Sequence, residues 1–382
     1  MVGFAILCCT AFVILDNSAL RQLGSRCRPA IFGAAAAIAL LVVQLLPWAP
    51  EIVTYPIWKT ASDALGANLG NRISLDPSDT IGALLPLLFL TSAMTATAAV
   101  CSEPRTAPVV HRLISLAICL TSAFTMFIGW TKPDHSAPGL LSALTVAALI
   151  TAVSLLFDRK GRKIEFKSYH DLLLITSGFL LGVGAMFDLR SAGSVIAAVG
   201  GALLTALLAW LPVAKLPRRA PVLAAMASTV LIIGIALMFP RLLTDPPSLS
   251  GNVDATAAIG RMIADAPLLG TGGGTFSTLA QIYAHDSSQL LRPPSLAAKL
   301  YVEYGPIGTS IIVLAWLTVC FELVAGALRR MRDRYLCASA AALSLATAAS
   351  AFLDTSATEA PIQLIVAMLI GLGLAQRESS VR

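Results

Sequence analysis

Residues 80–101, TIGALLPLLFLTSAMTATAAVC, decide the fold class, because they run for 22 positions without a charged side chain. A helix rises about 1.5 Å per residue, so a run of this length crosses a hydrocarbon core of about 30 Å. The whole chain of 382 residues is 57% hydrophobic and only 13% charged, with a mean hydropathy of +0.79. A water-soluble domain could not cover its surface with so few polar residues, so the composition predicts an integral membrane protein.

Runs of the same kind recur along the chain and predict about eleven transmembrane helices. Because the runs are continuous, they indicate an all-α, polytopic helical bundle; the strands of a membrane barrel would alternate polar and apolar residues. The predicted spans are residues 2–15, 30–48, 80–101, 109–130, 137–157, 171–187, 192–213, 220–239, 300–325, 335–352 and 361–375.

These spans divide the chain into three predicted regions. Residues 1–239 form an N-terminal transmembrane bundle of about eight spans, 240–299 form a large loop, and 300–382 hold the last spans and a short tail. Apolar residues recur in the large loop at helical spacing, which predicts short helices on the bilayer surface. These residues are Ile259, Met262, Ile263, Phe276, Leu279, Ile282 and Tyr283.

Lysine and arginine are concentrated in alternate loops, which sets the predicted orientation. The loops at 159–167, 215–219 and 329–334 are basic, whereas 240–299 mixes acids with a few bases. By the positive-inside rule the basic loops face the cytoplasm, so the N-terminus lies outside and the C-terminus inside. The net charge of +6 is then a signal of topology. A basic stripe with interleaved aromatic residues is absent from the sequence, so no nucleic acid partner is expected.

Cysteine and histidine usage predicts neither disulfides nor a metal site. The seven cysteines lie in apolar runs or at the cytoplasmic ends of spans, so no pair is available on the outer side, where disulfides form. Four histidines and the lack of an H-E-x-x-H motif argue against a dedicated metal site. We therefore expect no metal and no cofactor.

The stretch 270–279, GTGGGTFSTL, raises the question of phosphate binding. It lacks the lysine of a nucleotide-binding P-loop, and no βαβ unit surrounds it, so a nucleotide site is excluded. Two interpretations remain open. The turn opens a helix near Thr275 or Phe276 and offers backbone N–H groups to an anion. Alternatively, the glycines only allow tight backbone with positive φ where the chain re-enters the membrane.

Two segments carry a spaced pattern of acidic, proline and glycine residues: IADAPLLGTGGGTFSTL (263–279) and SLAAKLYVEYGPIGTSIIVLAWL (295–317). The pattern resembles the signature of the bacterial O-antigen ligase and O-antigen polymerase family of membrane proteins. In that family a turn of this kind in a large periplasmic loop precedes a span beginning E-x-G-x-x-G. The segments 187–198 and 351–361 are similar to two further family segments. The matching positions are Asp265, Pro267, Gly270, Gly272, Gly274, Phe276, Glu303, Gly305 and Gly308.

The resemblance implies transfer of an undecaprenyl-diphosphate-linked glycan at the periplasmic face of a bacterial inner membrane. The acceptor is another lipid-linked glycan in a polymerase or the lipid A core in a ligase. Membrane lipids and other polysaccharide assembly proteins are the further partners that it implies. Many family members carry a His-Asn pair where this chain has Pro294 and Ser295, which favours an exopolysaccharide or O-antigen polymerase-like member, or a divergent member of reduced activity.

The chemistry of this reaction and the expected external placement of a few residues suggest which side chains carry it. Arginine grips phosphate with two donors and keeps its charge, so Arg190, Arg261 and Arg292 are the candidates for contact with the diphosphate or glycan. Arg190 matches a family position and is also a catalytic candidate. Turn positions Gly272 and Gly274 are candidates through their N–H groups. The choices for a general base are His285, Asp286 and Glu303, of which His285 and Glu303 are taken as the candidates.

Glu303 has a second interpretation, because a carboxylate near the mouth of a span needs a partner. Lys299 lies four residues earlier and predicts a structural ion pair. The function also has alternatives: a polytopic transporter or flippase of lipid-linked oligosaccharides, or a non-catalytic member of the assembly complex. No inverted repeat and few intramembrane charges are visible in the sequence, which disfavours a transporter.

Overall fold

Helix dominates the part of the chain that the computed structural model describes, and no strand is found in that part. The predicted all-α class is therefore confirmed for it. The described residues are 17–47, 50, 57–67, 70–103, 105–131, 138–161, 175–178, 192–210, 253–283, 293–329, 333–353 and 355–377.

The helices are labelled here in chain order, and one short 3₁₀ turn, Ser356–Thr358, precedes the last of them. They are α1 Asn17–Leu45, α2 Ile57–Leu65, α3 Pro77–Val100, α4 Ala107–Thr131, α5 Pro138–Gly161, α6 Ala192–Trp210, α7 Val253–Ala264, α8 Phe276–Tyr283, α9 Leu296–Arg329, α10 Arg334–Leu353 and α11 Ala360–Ala375.

Five segments within α1, α3, α4, α9 and α10 are long and apolar enough to cross a membrane, as expected of a multi-pass membrane protein. Shorter apolar helices lie within α5, α6 and α11. Eight of the predicted spans coincide with helices of the described ranges. Predicted spans 2–15 and 220–239 lie outside the described residues, and only 175–178 of span 171–187 is described. The count of about eleven spans stays a prediction.

The chain forms two compact units. The unit called here the bundle unit comprises Met1–Arg28, Leu90–Ile235 and Thr318–Arg382. The second, called the turn unit, comprises Pro29–Phe89 and Ala236–Leu317 and contains the glycine-rich stretch. The predicted division into three regions describes membrane topology and stays a prediction.

The bundle unit is built around α10, most of whose alanine and serine side chains are buried. Small residues allow neighbouring helices to approach closely, which is how helices pack where lipid replaces water. A polar contact adds to this packing: the Nε2 of buried His111 on α4 lies 3.1 Å from the Ser154 hydroxyl of α5 and 3.4 Å from the Ser339 hydroxyl of α10. Both hydroxyls also lie within hydrogen-bond distance of carbonyls of their own helices, at 2.7 Å for Ser154 and 3.0 Å for Ser339.

The turn unit confirms the short helices expected in the large loop. Helices α7 and α8 pack on the start of α9 through a small apolar core. Ile282 of α8 lies outside this core and is 63% exposed. The buried residues of this core are Met262, Phe276, Leu279, Ala280 and Val302.

The packing of α11 generates a testable prediction. A Cβ added to Gly371 would collide with the backbone carbonyl of Met94, whereas a Cβ on Gly200 of α6 would meet nothing within 4 Å. Alanine is favoured over glycine within a helix by about 0.5–1 kcal/mol. We therefore expect Gly200→Ala to keep or raise the melting temperature of the detergent-solubilised protein and Gly371→Ala to lower it. Equal melting temperatures for the two variants would contradict the close packing of Gly371.

Candidate functional site

Every second residue of the glycine-rich turn has a backbone conformation that favours glycine. Gly270, Gly272 and Gly274 have φ values of 76°, 112° and 80°. A left-handed conformation costs other residues roughly 1–2 kcal/mol each, which explains why glycine occupies positions 270, 272 and 274. The expectation of tight backbone with positive φ is therefore confirmed.

The turn is attached to the start of α9 by two backbone hydrogen bonds. Thr271 N–H donates to the Val302 carbonyl at 3.0 Å, and Gly272 N–H donates to the Glu303 carbonyl at 3.0 Å. On its other side the Thr271 carbonyl accepts the N–H of Leu75 at 2.7 Å. The turn therefore lies between the start of α9 and the segment that leads into α3.

A break inside α9 makes these two carbonyls available. Gly305 has φ 67° and ψ 177°, which interrupts the helix, and the next residue, Pro306, has no N–H for the Val302 carbonyl. The N–H that a regular helix would supply to the Glu303 carbonyl belongs to Ile307, which donates to Leu268 at 3.4 Å instead. The Gly-Pro pair thus releases two acceptors that the turn occupies.

Gln44 joins helix α1 to the glycine-rich turn, to the residue before that turn and to the start of α9. Its side-chain N–H groups donate to the carbonyls of Leu269 at 2.8 Å and Glu303 at 2.9 Å, and its side-chain oxygen accepts the N–H of Gly273 at 3.1 Å. A buried amide is costly without partners, and these bonds satisfy it. The sequence analysis missed Gln44, although an amide within the apolar run 30–48 is a signal that could have found it.

Glu303 is 3% exposed and contributes a buried carboxylate to the turn. The carboxylate accepts the N–H of Phe276, with Oε1 at 3.4 Å. It therefore lies at the N-terminal end of α8, where the helix dipole stabilises negative charge. Lys299 Nζ lies 3.9 Å from Oε1, which confirms the expected ion pair.

These bonds determine what the turn can offer to a ligand. The N–H groups of Gly272 and Gly273 already donate to acceptors of this chain. Phosphate binding by Gly272 and Gly274 stays a prediction, and at Gly272 it would require the Glu303 carbonyl to give up its bond. A catalytic role of Glu303 likewise stays a prediction, because the carboxylate is committed to α8 and Lys299.

Polar residues of the segment leading into α3 line the other side of the turn. The Ser74 and Thr80 hydroxyls lie 2.7 Å apart, next to Gly272. Asp79 is half-buried, and its Oδ2 accepts the hydroxyl proton of Thr278 on α8 at 3.0 Å. The sequence analysis missed Asp79; the signal was its place as the last acid before the charge-free run 80–101.

Asp76 caps the N-terminus of α3, with Pro77 at the first helical position. Its Oδ1 accepts the hydroxyl of Ser78 at 2.6 Å and the N–H groups of Ser78 at 2.8 Å and Asp79 at 3.3 Å. The hydroxyl of Ser78, with these N–H groups, holds the pKa of Asp76 below its ordinary value. Because the folded-state pKa is lowered, the stabilisation is present above the unfolded-state pKa and is lost as the pH falls through the folded-state pKa.

A cation also lies on this segment. The guanidinium carbon of Arg72 is 5.9 Å from the ring centre of Trp58 on α2, within the range of a cation–π contact. The indole N–H of Trp58 donates to the Ser74 carbonyl at 2.9 Å, which links this pair to the hydroxyls beside Gly272. The sequence analysis did not single out Arg72.

The other expected site residues are placed as follows. Arg261 lies in the last turn of α7 and is exposed to solvent. Arg190, His285 and Arg292 lie outside the described residues. Ser295 is the second of the two positions at which many members of the resembled family carry a His-Asn pair. Here it caps α9 by accepting the N–H of Ala298 at 3.2 Å. Within the described ranges no group of three or more His, Cys, Asp or Glu residues could hold a metal ion.

No protein-family model matches the chain, and no curated protein matches it.

The geometry of the turn predicts a strong effect of one added methyl group. A Cβ at position 272 would lie 2.6 Å from the Ser74 hydroxyl and 2.8 Å from the Thr80 hydroxyl, at a φ that disfavours alanine. Strain of this kind costs about 1–3 kcal/mol, so Gly272→Ala should lower the melting temperature of the protein in lipid discs. Gly260→Ala on α7 is the matched control, because a Cβ there meets nothing within 4 Å. A melting temperature of Gly272→Ala equal to that of the control would refute this description of the turn.

Proposed function

We propose that the chain is a membrane enzyme of surface-polysaccharide assembly in a bacterial inner membrane. It transfers a glycan from an undecaprenyl-diphosphate carrier to an acceptor hydroxyl at the periplasmic face. The observation that carries the proposal is the direct bonding between the two segments of the resemblance, 263–279 and 295–317. Thr271 and Gly272 of the first donate to Val302 and Glu303 of the second.

This bonding supports the proposal because it gives the spaced glycines of both segments one structural role, which is to let the two backbones approach closely. A Cβ on Gly270 would collide with the Glu303 carbonyl, and a Cβ on Gly305 would collide with the carbonyl of Leu268. The contacting residues lie 31 or more positions apart in sequence, yet each segment needs the glycines of the other. This mutual requirement supports treating the two segments as one structural pattern.

The chemistry needs few groups. A sugar diphosphate is already activated, so the enzyme has to neutralise the departing diphosphate and accept a proton from the attacking hydroxyl. Arg190, Arg261 and Arg292 are the proposed diphosphate contacts, and His285 and Glu303 the bases suggested by sequence. No cofactor or metal is part of the proposal. The acceptor is another lipid-linked glycan, since Pro294 and Ser295 depart from the pattern of the ligases.

The proposed orientation follows from the distribution of charge. The basic loops, such as 159–167 and 329–334, face the cytoplasm, so the N-terminus is periplasmic and the C-terminus cytoplasmic. The glycine-rich turn is then on the periplasmic side. Its position beside the starts of α3 and α9 suits a donor whose lipid tail remains in the bilayer.

A deletion strain tests this function in the cell. We expect loss of long surface polymer and accumulation of single carrier-linked repeat units at the periplasmic face, because export continues while transfer stops. The measurement is polymer length on gels together with the sidedness of the accumulated units. Plasmid-borne wild type and Gly200→Ala should both restore the polymer.

Two results of that experiment would reject the proposal. Accumulation of repeat units on the cytoplasmic side would indicate a flippase. Surface polysaccharide and secreted polymer of unchanged length would exclude both the transferase and the flippase.

A further inference from the structure

Two carboxylates lie at the glycine-rich turn, and their environments differ. Glu303 and Asp79 are close enough to interact electrostatically. Glu303 is buried, and its carboxylate accepts the N–H of Phe276 and pairs with Lys299. Asp79 is half-buried and has solvent access. Of the two, only Asp79 can meet a substrate without the turn giving up its own bonds.

Asp79 is held in place by contacts from two sides. Its backbone carbonyl lies so close to Gly274 that a Cβ there would be only 2.8 Å from the carbonyl oxygen. On the other side the Thr278 hydroxyl donates to Oδ2 at 3.0 Å. Among the described residues, Oδ1 has no recorded hydrogen bond. The bond from Thr278 to Oδ2 therefore orients the carboxylate, and Oδ1 remains available to a substrate.

The position of Asp79 along α3 also fits a lipid-linked substrate. It immediately precedes the charge-free run 80–101, so the sequence places its carboxylate near the expected edge of the hydrocarbon core. A polyprenyl tail stays in the hydrocarbon, so the diphosphate and the first sugar of such a donor lie at this same depth. The acceptor hydroxyl has to reach the donor there.

We propose that Asp79 is the general base of the transfer reaction, an inference that rests on the proposed function. Its carboxylate takes the proton of the acceptor hydroxyl as that oxygen bonds to the anomeric carbon of the donor sugar. The bond between this carbon and the carrier diphosphate breaks, and the diphosphate leaves with the electron pair. Asp79 then releases the proton to water. Thr278 is a positioning residue that orients the carboxylate.

The test uses the purified full chain in lipid discs with undecaprenyl-diphosphate-linked repeat units as donor and acceptor. We expect Asp79→Asn to lower kcat by about 10²–10⁴-fold, the usual contribution of a general base, with a nearly unchanged donor KM. The amide keeps the shape and can still accept the Thr278 hydroxyl. The matched control is Asp63→Asn, which removes an exposed carboxylate from α2 and should keep wild-type kinetics.

Two further variants separate catalysis from structure. Added formate should partly restore the kcat of Asp79→Ala, because a small carboxylate can replace the missing base; a purely structural aspartate would not respond. Thr278→Val, which loses the orienting hydroxyl, should lower kcat more than Thr278→Ser does. These readouts also apply if Asp79→Asn folds poorly.

The outcomes distinguish this inference from the function on which it rests. If the wild type is active and a folded Asp79→Asn variant has the same kcat, the role of Asp79 is overturned while the proposed function stands. The same result combined with an inactive His285→Ala assigns the base to His285. Absence of formate rescue together with wild-type kcat in Thr278→Val also overturns the inference. A folded wild type that transfers no glycan overturns the proposed function and this inference with it.

Discussion

The arrangement of the turn unit depends on the two carbonyls released by the break at Gly305 and Pro306. A regular helix would use the carbonyls of Val302 and Glu303 internally. Because α9 is interrupted, they accept Thr271 and Gly272 instead. Hydrogen bonds are strong where water is scarce, and an unpaired backbone carbonyl is costly there. The replacement of helical partners by Thr271 and Gly272 therefore fixes the turn against the start of α9. Gln44 then ties α1 to both parts.

This constraint changes the meaning of the glycine-rich stretch. Its N–H groups at 272 and 273 donate to acceptors of the same chain. The carboxylate of Glu303 lies at the start of α8, where one interpretation of the sequence placed the phosphate of a ligand. The turn is therefore a structural scaffold, and the proposed transfer chemistry is assigned to polar side chains beside it, foremost Asp79. This separation of support from chemistry is common in sites built on rigid elements.

Local patterns in the sequence were sufficient for some features and insufficient for others. Helices α7 and α8, the tight turn and the Lys299–Glu303 pair could be predicted, because each depends on residues close together in sequence. Gln44 could not be connected to Gly273, which lies 229 positions away, because periodicity carries no information on distant partners. The same applies to Asp79 and Thr278, which are 199 positions apart. Ile282 shows a further limit. Helical spacing identifies an apolar residue, but it does not say whether the side chain packs inside the protein or is exposed on its surface.

Amide hydrogen exchange across residues 270–283 in lipid discs tests the central claim most directly. If the turn is a scaffold, the N–H groups of Gly272, Gly273 and Phe276 exchange slowly, because each donates to a buried acceptor. Gln44→Leu should then speed exchange at Gly273 and its neighbours. Exchange of these amides at the rate of an open loop in the wild type would contradict the account and leave the turn free to bind an external anion.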